Sequence, residues 1–178
     1  SVDRYWHVPH YEKMLYDQSQ LAMAYLDGWQ ISNDGLFREV AEEIFYYLLG
    51  TLRDAGGAFH AAEDADSLPS EDAMEKREGA LWTWEAEEIS ARLAPRDAAI
   101  FSAAYGVEAQ GNARPESDPH RELVNQNTLS RVLWDDALAV KFNTTETEIH
   151  ERLFTAKKIL LDARNQRPQP HRDDKIVT

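Results

Sequence analysis

The sequence predicts an all-α chain made of helical hairpins joined by long loops. Apolar residues recur at helical spacing in several segments. Asn33-Asp34-Gly35 and Thr145-Glu146-Thr147-Glu148 stand just ahead of such segments as helix-boundary signals. Between them lie two irregular stretches, Phe59 to about Lys76 and Glu108 to Asn127, with the length and composition of loops.

From about Pro9 to Ile31 the spacing predicts a first helix, with Tyr11, Met14, Leu15, Gln18, Ala22, Tyr25, Leu26 and Trp29 as its stripe. Leu21, Met23 and Ala24 widen that stripe until the later turns are apolar on most sides, as in a helix buried within a bundle. After the turn at Asn33-Asp34-Gly35 a second helix runs to about Arg53. Its inner face is Phe37, Val40, Ala41, Ile44, Tyr47, Leu48 and Thr51, which makes an antiparallel hairpin with the first. Asp54-Ala55-Gly56-Gly57 ends that unit. The following loop is acidic, and Leu81, Trp82 and Trp84 can return as a short strand. Helices are expected from Glu85 to Leu93, from Pro95 to Tyr105 before Gly106, and from Leu129 to Phe142. A last one starts behind the Thr145–Glu148 capping box and carries Ile149, Leu153, Ala156, Ile159, Leu160 and Ala163, until Arg167-Pro168-Gln169-Pro170 breaks it.

Composition narrows the classes of function. The length of 178 residues suits one domain or part of a larger one, and 43% hydrophobic residues suffice for a packed core. Acidic residues outnumber basic ones 32 to 19, a formal charge of -13, with no basic stripe. Nucleic acid and anionic membrane surfaces are therefore not the expected partners. No apolar run approaches the ~20 residues that cross a bilayer. The absence of cysteine excludes disulfides, thiolate metal sites and cysteine nucleophiles in this chain. The start, Ser1-Val2-Asp3-Arg4-Tyr5-Trp6, lacks a signal-peptide pattern, and the end, Ile176-Val177-Thr178, lacks a cap. Residues 1–178 read as an internal slice of one domain, with cytoplasmic residence, no cofactor and no metal expected.

Three clusters hold the chemistry-bearing residues. In the first, Asp3, Trp6, His10, Glu12, Lys13 and Asp17 crowd what reads as the start of the first helix. On a helix His10 and Lys13, and Lys13 and Asp17, would each share a face, near a terminus that favours an anion or a neutral imidazole. Imidazole is the side chain best suited to proton transfer near neutrality, so His10 is the leading candidate base. The alternative is a His10 that caps the helix and carboxylates in local pairs. In the second cluster Glu63, Asp64 and Asp66 can supply an acid/base pair or hold a hard cation through oxygen, although a solvated acidic loop accounts for the same run. The spacing lacks the central glycine and distal glutamate of a calcium loop. The third, Arg167 to Lys175, sets His171 beside Asp173 and Asp174, either a His–carboxylate pair or a proline-stiffened elbow. Trp6, Trp29, Trp82, Trp84 and Trp134 suit stacking on sugar faces or core packing.

Together these runs resemble a known family. Val2-Asp3-Arg4-Tyr5-Trp6 through Val8-Pro9-His10-Tyr11-Glu12-Lys13-Met14-Leu15-Tyr16-Asp17-Gln18 is its most distinctive motif. Gly56-Gly57-Ala58-Phe59 leading to Ala62-Glu63-Asp64-Ala65-Asp66-Ser67 is the second. Arg167-Pro168, Pro170-His171 and Asp173-Asp174-Lys175 form the third, and Asp118-Pro119-His120 with Glu122-Leu123 the fourth. These motifs resemble the thioredoxin-domain-containing, N-acylglucosamine 2-epimerase-like (spermatogenesis-associated protein 20-like) family across almost the whole chain. Tyr11 stands where phenylalanine is usual, and Val124-Asn125-Gln126-Asn127 replaces a Gly-Lys-Asn pattern, which leaves the course of that loop open.

The resemblance implies a partial (α/α)6 barrel of the six-hairpin glycosidase type, without the family's thioredoxin-like domain. It implies a pocket at one end of the barrel, lined by loops and inner-helix starts, where a carbohydrate ligand would lie against His10 and the acidic loop. Three functions follow as expectations. A sugar epimerase or isomerase would use His10 as base, with His171 second. A glycoside hydrolase would pair Asp66 with Asp3 or Asp17. A non-catalytic module would bind a carbohydrate or dock a partner such as the missing thioredoxin-like domain. Inner helix faces left without neighbours also lead one to expect self-association.

Overall fold

The computed structural model describes residues 3–177, and expectations resting on Ser1, Val2 and Thr178 lie outside them. Helices dominate, but short strands stand where the sequence reads as loop. The chain divides into two compact units. One, the hairpin unit, is Tyr11–Ser67 with the segment from Pro170 onward; the other, the helical unit, joins the segment ending at His10 to Leu68–Gln169.

In the hairpin unit the first helix, α1 (Leu15–Ser32), starts later than its apolar spacing suggests. Pro9 lacks an amide hydrogen and biases Val8 toward extended backbone. Lys13–Met14 then commit to a strand, β1. Met14, the residue before α1, is itself extended (φ -92, ψ 134). The expectation of a helix from Pro9 is corrected here, and with it the shared-face pairing of His10, Lys13 and Asp17. The stop is as expected: Asn33 takes the left-handed conformation (φ 56) and its amide donates to Trp29 O at 2.7 Å. Asp34 then caps α2 (Gly35–Tyr47), its carboxylate accepting from the Leu36 amide at 2.9 Å.

The chain continues from α2 through a wider turn, Leu48–Leu52, closed by Arg53 N to Leu48 O at 2.9 Å. The predicted inner face of α2 is the covered one, with Ala41 and Leu48 buried. The Tyr25 and Phe37 rings meet at 5.9 Å, and a Cβ at Gly28 would stand 3.1 Å from the Phe37 ring, so the glycine lets the helices approach there. Leu21 and Met23, expected to be covered, are 46% and 67% exposed.

Asp54 turns the chain: Gly57 (φ 93) donates to its carbonyl, and Ala58 donates to its carboxylate at 2.8 Å. The next residues form β2 (Phe59–Glu63) and the two-residue β3 (Asp66–Ser67). β2 lies between β1 and a later strand, β5 (Arg172–Val177), and pairs antiparallel with both. The register shifts between His60 and Ala62, a bulge, and Asp173 accepts the Lys175 amide at 3.1 Å beside it.

The helical unit carries a strand, β4 (Arg77–Glu78), and four helices: α3 (Ala86–Arg92), α4 (Pro95–Tyr105), α5 (Asp135–Phe142) and α6 (Glu146–Arg164). Ile89, Ile100, Phe101, Leu138, Ile149 and Leu153 are central in their common core. Pro95 opens α4 and Gly106 (φ 65) closes it, as expected. α5 starts after the predicted Leu129, because the Val132 and Leu133 amides instead reach Ala104 O at 2.9 and 3.3 Å.

The capping box forms by half. Thr145 accepts the Glu148 amide at 3.2 Å, but the Glu148 carboxylate takes the Thr144 hydroxyl and Arg152 rather than reaching back. Four stripe residues of α6, Ile149, Leu153, Ala156 and Leu160, are buried, whereas Ile159 is exposed. The expected short strand at Leu81–Trp84 reduces to one bridge, Trp84 with Asn127.

Candidate functional site

The predicted site residues divide between the units. Asp3, Trp6 and His10 belong to the helical unit; Glu12, Lys13, Asp17, Glu63, Asp64, Asp66 and His171 belong to the hairpin unit. Each set is built by its own local structure.

In the hairpin unit the three sequence clusters supply the three strands of one sheet. Lys13 of β1 pairs with Glu63 of β2, which pairs on its other side with Arg172 of β5. Residues directly opposite one another project to the same face, so a carboxylate stands between two cations in a cross-strand row. Glu63 is 3% exposed. Burial pushes the Tyr47 phenol well above its ordinary pKa, the neighbouring Glu63 carboxylate adds to that push, and Arg172 acts against it. Tyr47 is thus held as a neutral hydroxyl against a buried carboxylate. The Asp64 amide donates to His171 O at 2.8 Å, and the Asp66 amide to the Asp64 carboxylate at 3.3 Å, which closes the turn after β2. The His171 side chain is exposed, and so are Glu12 and Asp17, the latter in the first turn of α1. Lys13 Nζ donates to Tyr11 O at 2.8 Å. The Asp173 carboxyl is held below its ordinary value by the Lys175 amide, which outweighs desolvation, and by the Lys175 ammonium.

In the helical unit Asp3 is a turn-former. Its carboxylate accepts from the amides of Tyr5 (2.8 Å), His7 (3.2 Å) and Val8 (3.1 Å). Desolvation raises its pKa, but the Val8 and His7 amides, the Ser117 side chain and the Tyr5 amide together hold it well below the usual carboxylate range. A carboxyl so strongly ionised is a poor general acid. Trp6 is 85% exposed with a positive φ of 58. His10 has a partner that sequence reasoning missed: its Nδ1 lies 3.0 Å from Glu78 Oε1, with side chains 56% and 37% exposed. A carboxylate at one ring nitrogen fixes the orientation of an imidazole, the arrangement used by acid/base histidines.

Glu78 is in turn placed by the fourth motif. Its amide donates to the Glu122 carboxylate at 3.2 Å, and Arg77 donates to Glu122 O at 2.9 Å. Asp118 holds that loop by accepting the Glu122 and Leu123 amides at 2.8 and 2.9 Å. Arg77 also lines a cleft of about 410 Å³, together with Thr83, Glu85, Glu88, Gln126 and Arg167. That volume falls in the range of small-molecule sites. Thr83 donates to Gln126 Oε1 at 3.0 Å, and Gln126 Nε2 donates to Glu85 at 3.1 Å. Arg167 donates to the carbonyls of Ala80, Leu81 and Thr83 and to Glu88, with its guanidinium 4.0 Å from the Trp84 ring centroid. Gln126 falls in the second irregular stretch and in the Val124–Asn127 departure from the family pattern, whereas Glu78, just past the first irregular stretch, carries no signal in the sequence.

No protein-family model matches the chain. It is 42% identical over its whole length to an uncharacterized protein of Caenorhabditis elegans. It is 37% identical to human spermatogenesis-associated protein 20 and 36% identical to the mouse protein of that name, over 99% of the chain in each case. The chain spans about a quarter of the length of these curated relatives: 25% of the worm protein, 24% of the human one and 23% of the mouse one. It is therefore a partial match to the spermatogenesis-associated protein 20 family. No helix among the described residues is long and apolar enough to cross a membrane.

Proposed function

We propose that this chain is a segment of a carbohydrate-active (α/α)-barrel protein of the sugar isomerase or epimerase type, with His10 as the group that moves a proton. The observation that supports the reading most is the place of β4. Arg77 lines the polar cleft; its neighbour Glu78, which like His10 stands outside that lining, holds His10 Nδ1 at 3.0 Å. A hydroxyl, an amide, carboxylates and guanidinium groups are the donors and acceptors a sugar's hydroxyls require. An oriented imidazole is what removal of a proton beside a carbonyl requires. Glu78 acts through His10 and is a positioning residue. The strong depression of the Asp3 carboxyl weighs against Asp3 as the acid of a glycosidase pair.

The test uses a protein of the full length of the relatives, incubated in heavy water with aldoses, ketoses and N-acylated amino sugars. Proton NMR should show loss of one carbon-bound hydrogen next to the carbonyl. His10→Ala should slow that exchange by about 100-fold or more, in line with general acid–base contributions. Glu78→Gln should lower kcat by a smaller factor and alter its pH profile. A folded protein that exchanges no sugar hydrogen, or a His10→Ala variant as fast as the parent, would overturn the proposal.

A further inference from the structure

We infer that the outward face of the α1–α2 hairpin is a docking surface for a basic amphipathic helix, independent of any carbohydrate site. Tyr16, Met23 and Ile31 follow one another at steps of seven and eight residues, which on a helix is one stripe. They are 57%, 67% and 87% exposed, on the side of α1 away from buried Ala22. At the end of α2 and in the turn that continues it, Tyr46 is 78% and Leu49 56% exposed. Because the hairpin is antiparallel, that end lies beside the Tyr16 end of α1. The phasing explains why α1 reads as apolar on most sides: one side packs on α2 and the other faces outward. Singly exposed apolar residues are ordinary on a protein surface, but this many on one hairpin mark an interaction face.

Charge selects the occupant. The hairpin helices and their connecting turns, residues 15–52, carry six acidic residues, Asp17, Asp27, Asp34, Glu39, Glu42 and Glu43, against one basic residue, Arg38. That arginine is already bonded to Glu42 at 2.8 Å. Asp27 falls within the outward stripe of α1, between Met23 and Ile31. A partner whose apolar ridge is flanked by Lys or Arg would meet both features, whereas an anionic lipid surface would be repelled. A second copy of this chain would bring the same acidic rim against itself. Two packed helices offer grooves that seat a third helix, and Met23 adapts to the contour of what binds.

Two synthetic 18-residue helical peptides test this, with the same leucine stripe but flanked by Lys in one and Glu in the other. Fluorescence anisotropy against a protein of the full length of the relatives should show the Lys peptide binding at least tenfold more tightly. Met23→Ser with Tyr46→Ser should weaken that binding at least tenfold. Phe154→Ser, at an exposed apolar position of α6, should leave it unchanged. Circular dichroism would verify that each variant keeps its helix content. Equal binding of both peptides, no binding of either, or a Lys peptide indifferent to Met23→Ser/Tyr46→Ser would overturn the inference. So would a dimer, seen by light scattering, that those two substitutions dissolve, since the occupant would then be a second copy.

Discussion

Replacing Arg167 should loosen the helical unit more than its position just beyond α6 suggests. Its guanidinium donates to Leu81 O and Thr83 O at 2.8 Å, to Ala80 O at 3.3 Å and to Glu88 Oε2 at 2.8 Å. The same group stacks 4.0 Å from the centroid of buried Trp84. The two short bonds from a charged donor to carbonyls are worth about 1.5 kcal/mol each. The ion pair counts for less: Glu88 is 27% exposed and keeps Arg92 at 3.3 Å, so about 0.5 kcal/mol is a fair share after solvent screening. Stacking on Trp84 adds about 0.5–1 kcal/mol.

Arg167→Ala should therefore cost about 4–4.5 kcal/mol, a large part of an ordinary domain's stability. Hydrogen exchange of the Trp82 and Thr83 amides, both bonded to Gly79 O at 2.9 Å, reads this locally. A loss of ~4 kcal/mol accelerates their exchange on the order of 1,000-fold. Arg167→Lys should recover only a minor part, because an ammonium cannot span three carbonyls and a carboxylate in one plane. Exchange in Arg167→Ala within about threefold of the parent would refute the reasoning. Full rescue by lysine would show that charge, and not the fork, is what matters.

Two further outcomes follow. The Asp3 carboxyl is held below its ordinary value of 3.8, so its contribution is fully present above that pH. It is lost as pH falls from there through the lower folded pKa, and Asp3→Asn should abolish the pH dependence of the Val8 amide resonance below about pH 4. Gly111 has φ 83, and a Cβ there would come within 2.7 Å of Gln126 O; Gly111→Ala should lower stability by about 2 kcal/mol, read as a shift in urea midpoint at constant slope.

Where local chemistry decides the outcome, the sequence is readable. The stop at Asn33, the Asp34 cap, the Pro95 start and the Gly106 end are all where their side chains and backbone preferences put them. Elements that depend on distant partners are not. Phe59–Glu63 reads as an acidic loop because nothing within it alternates, and it becomes a strand only through pairing with Lys13–Met14 and Arg172–Val177. The late start of α1 has the same cause, since the amides ahead of it belong to that sheet. The clusters themselves are visible as residue types, but their partners are not. Glu78 meets His10 across 68 positions of sequence. Buried Asn127 bonds Trp84 O and Glu108 O through contacts 43 and 19 residues away.

The reading turns on His10 and Glu78, and nitrogen NMR of the His10 ring tests that pair most directly. With Nδ1 facing Glu78 Oε1 at 3.0 Å, the neutral imidazole should carry its proton on Nδ1 and revert to the commoner Nε2–H form in Glu78→Ala. An Nε2–H ring in the parent protein, unchanged by Glu78→Ala, would contradict the pairing and remove the basis for His10 as the oriented base.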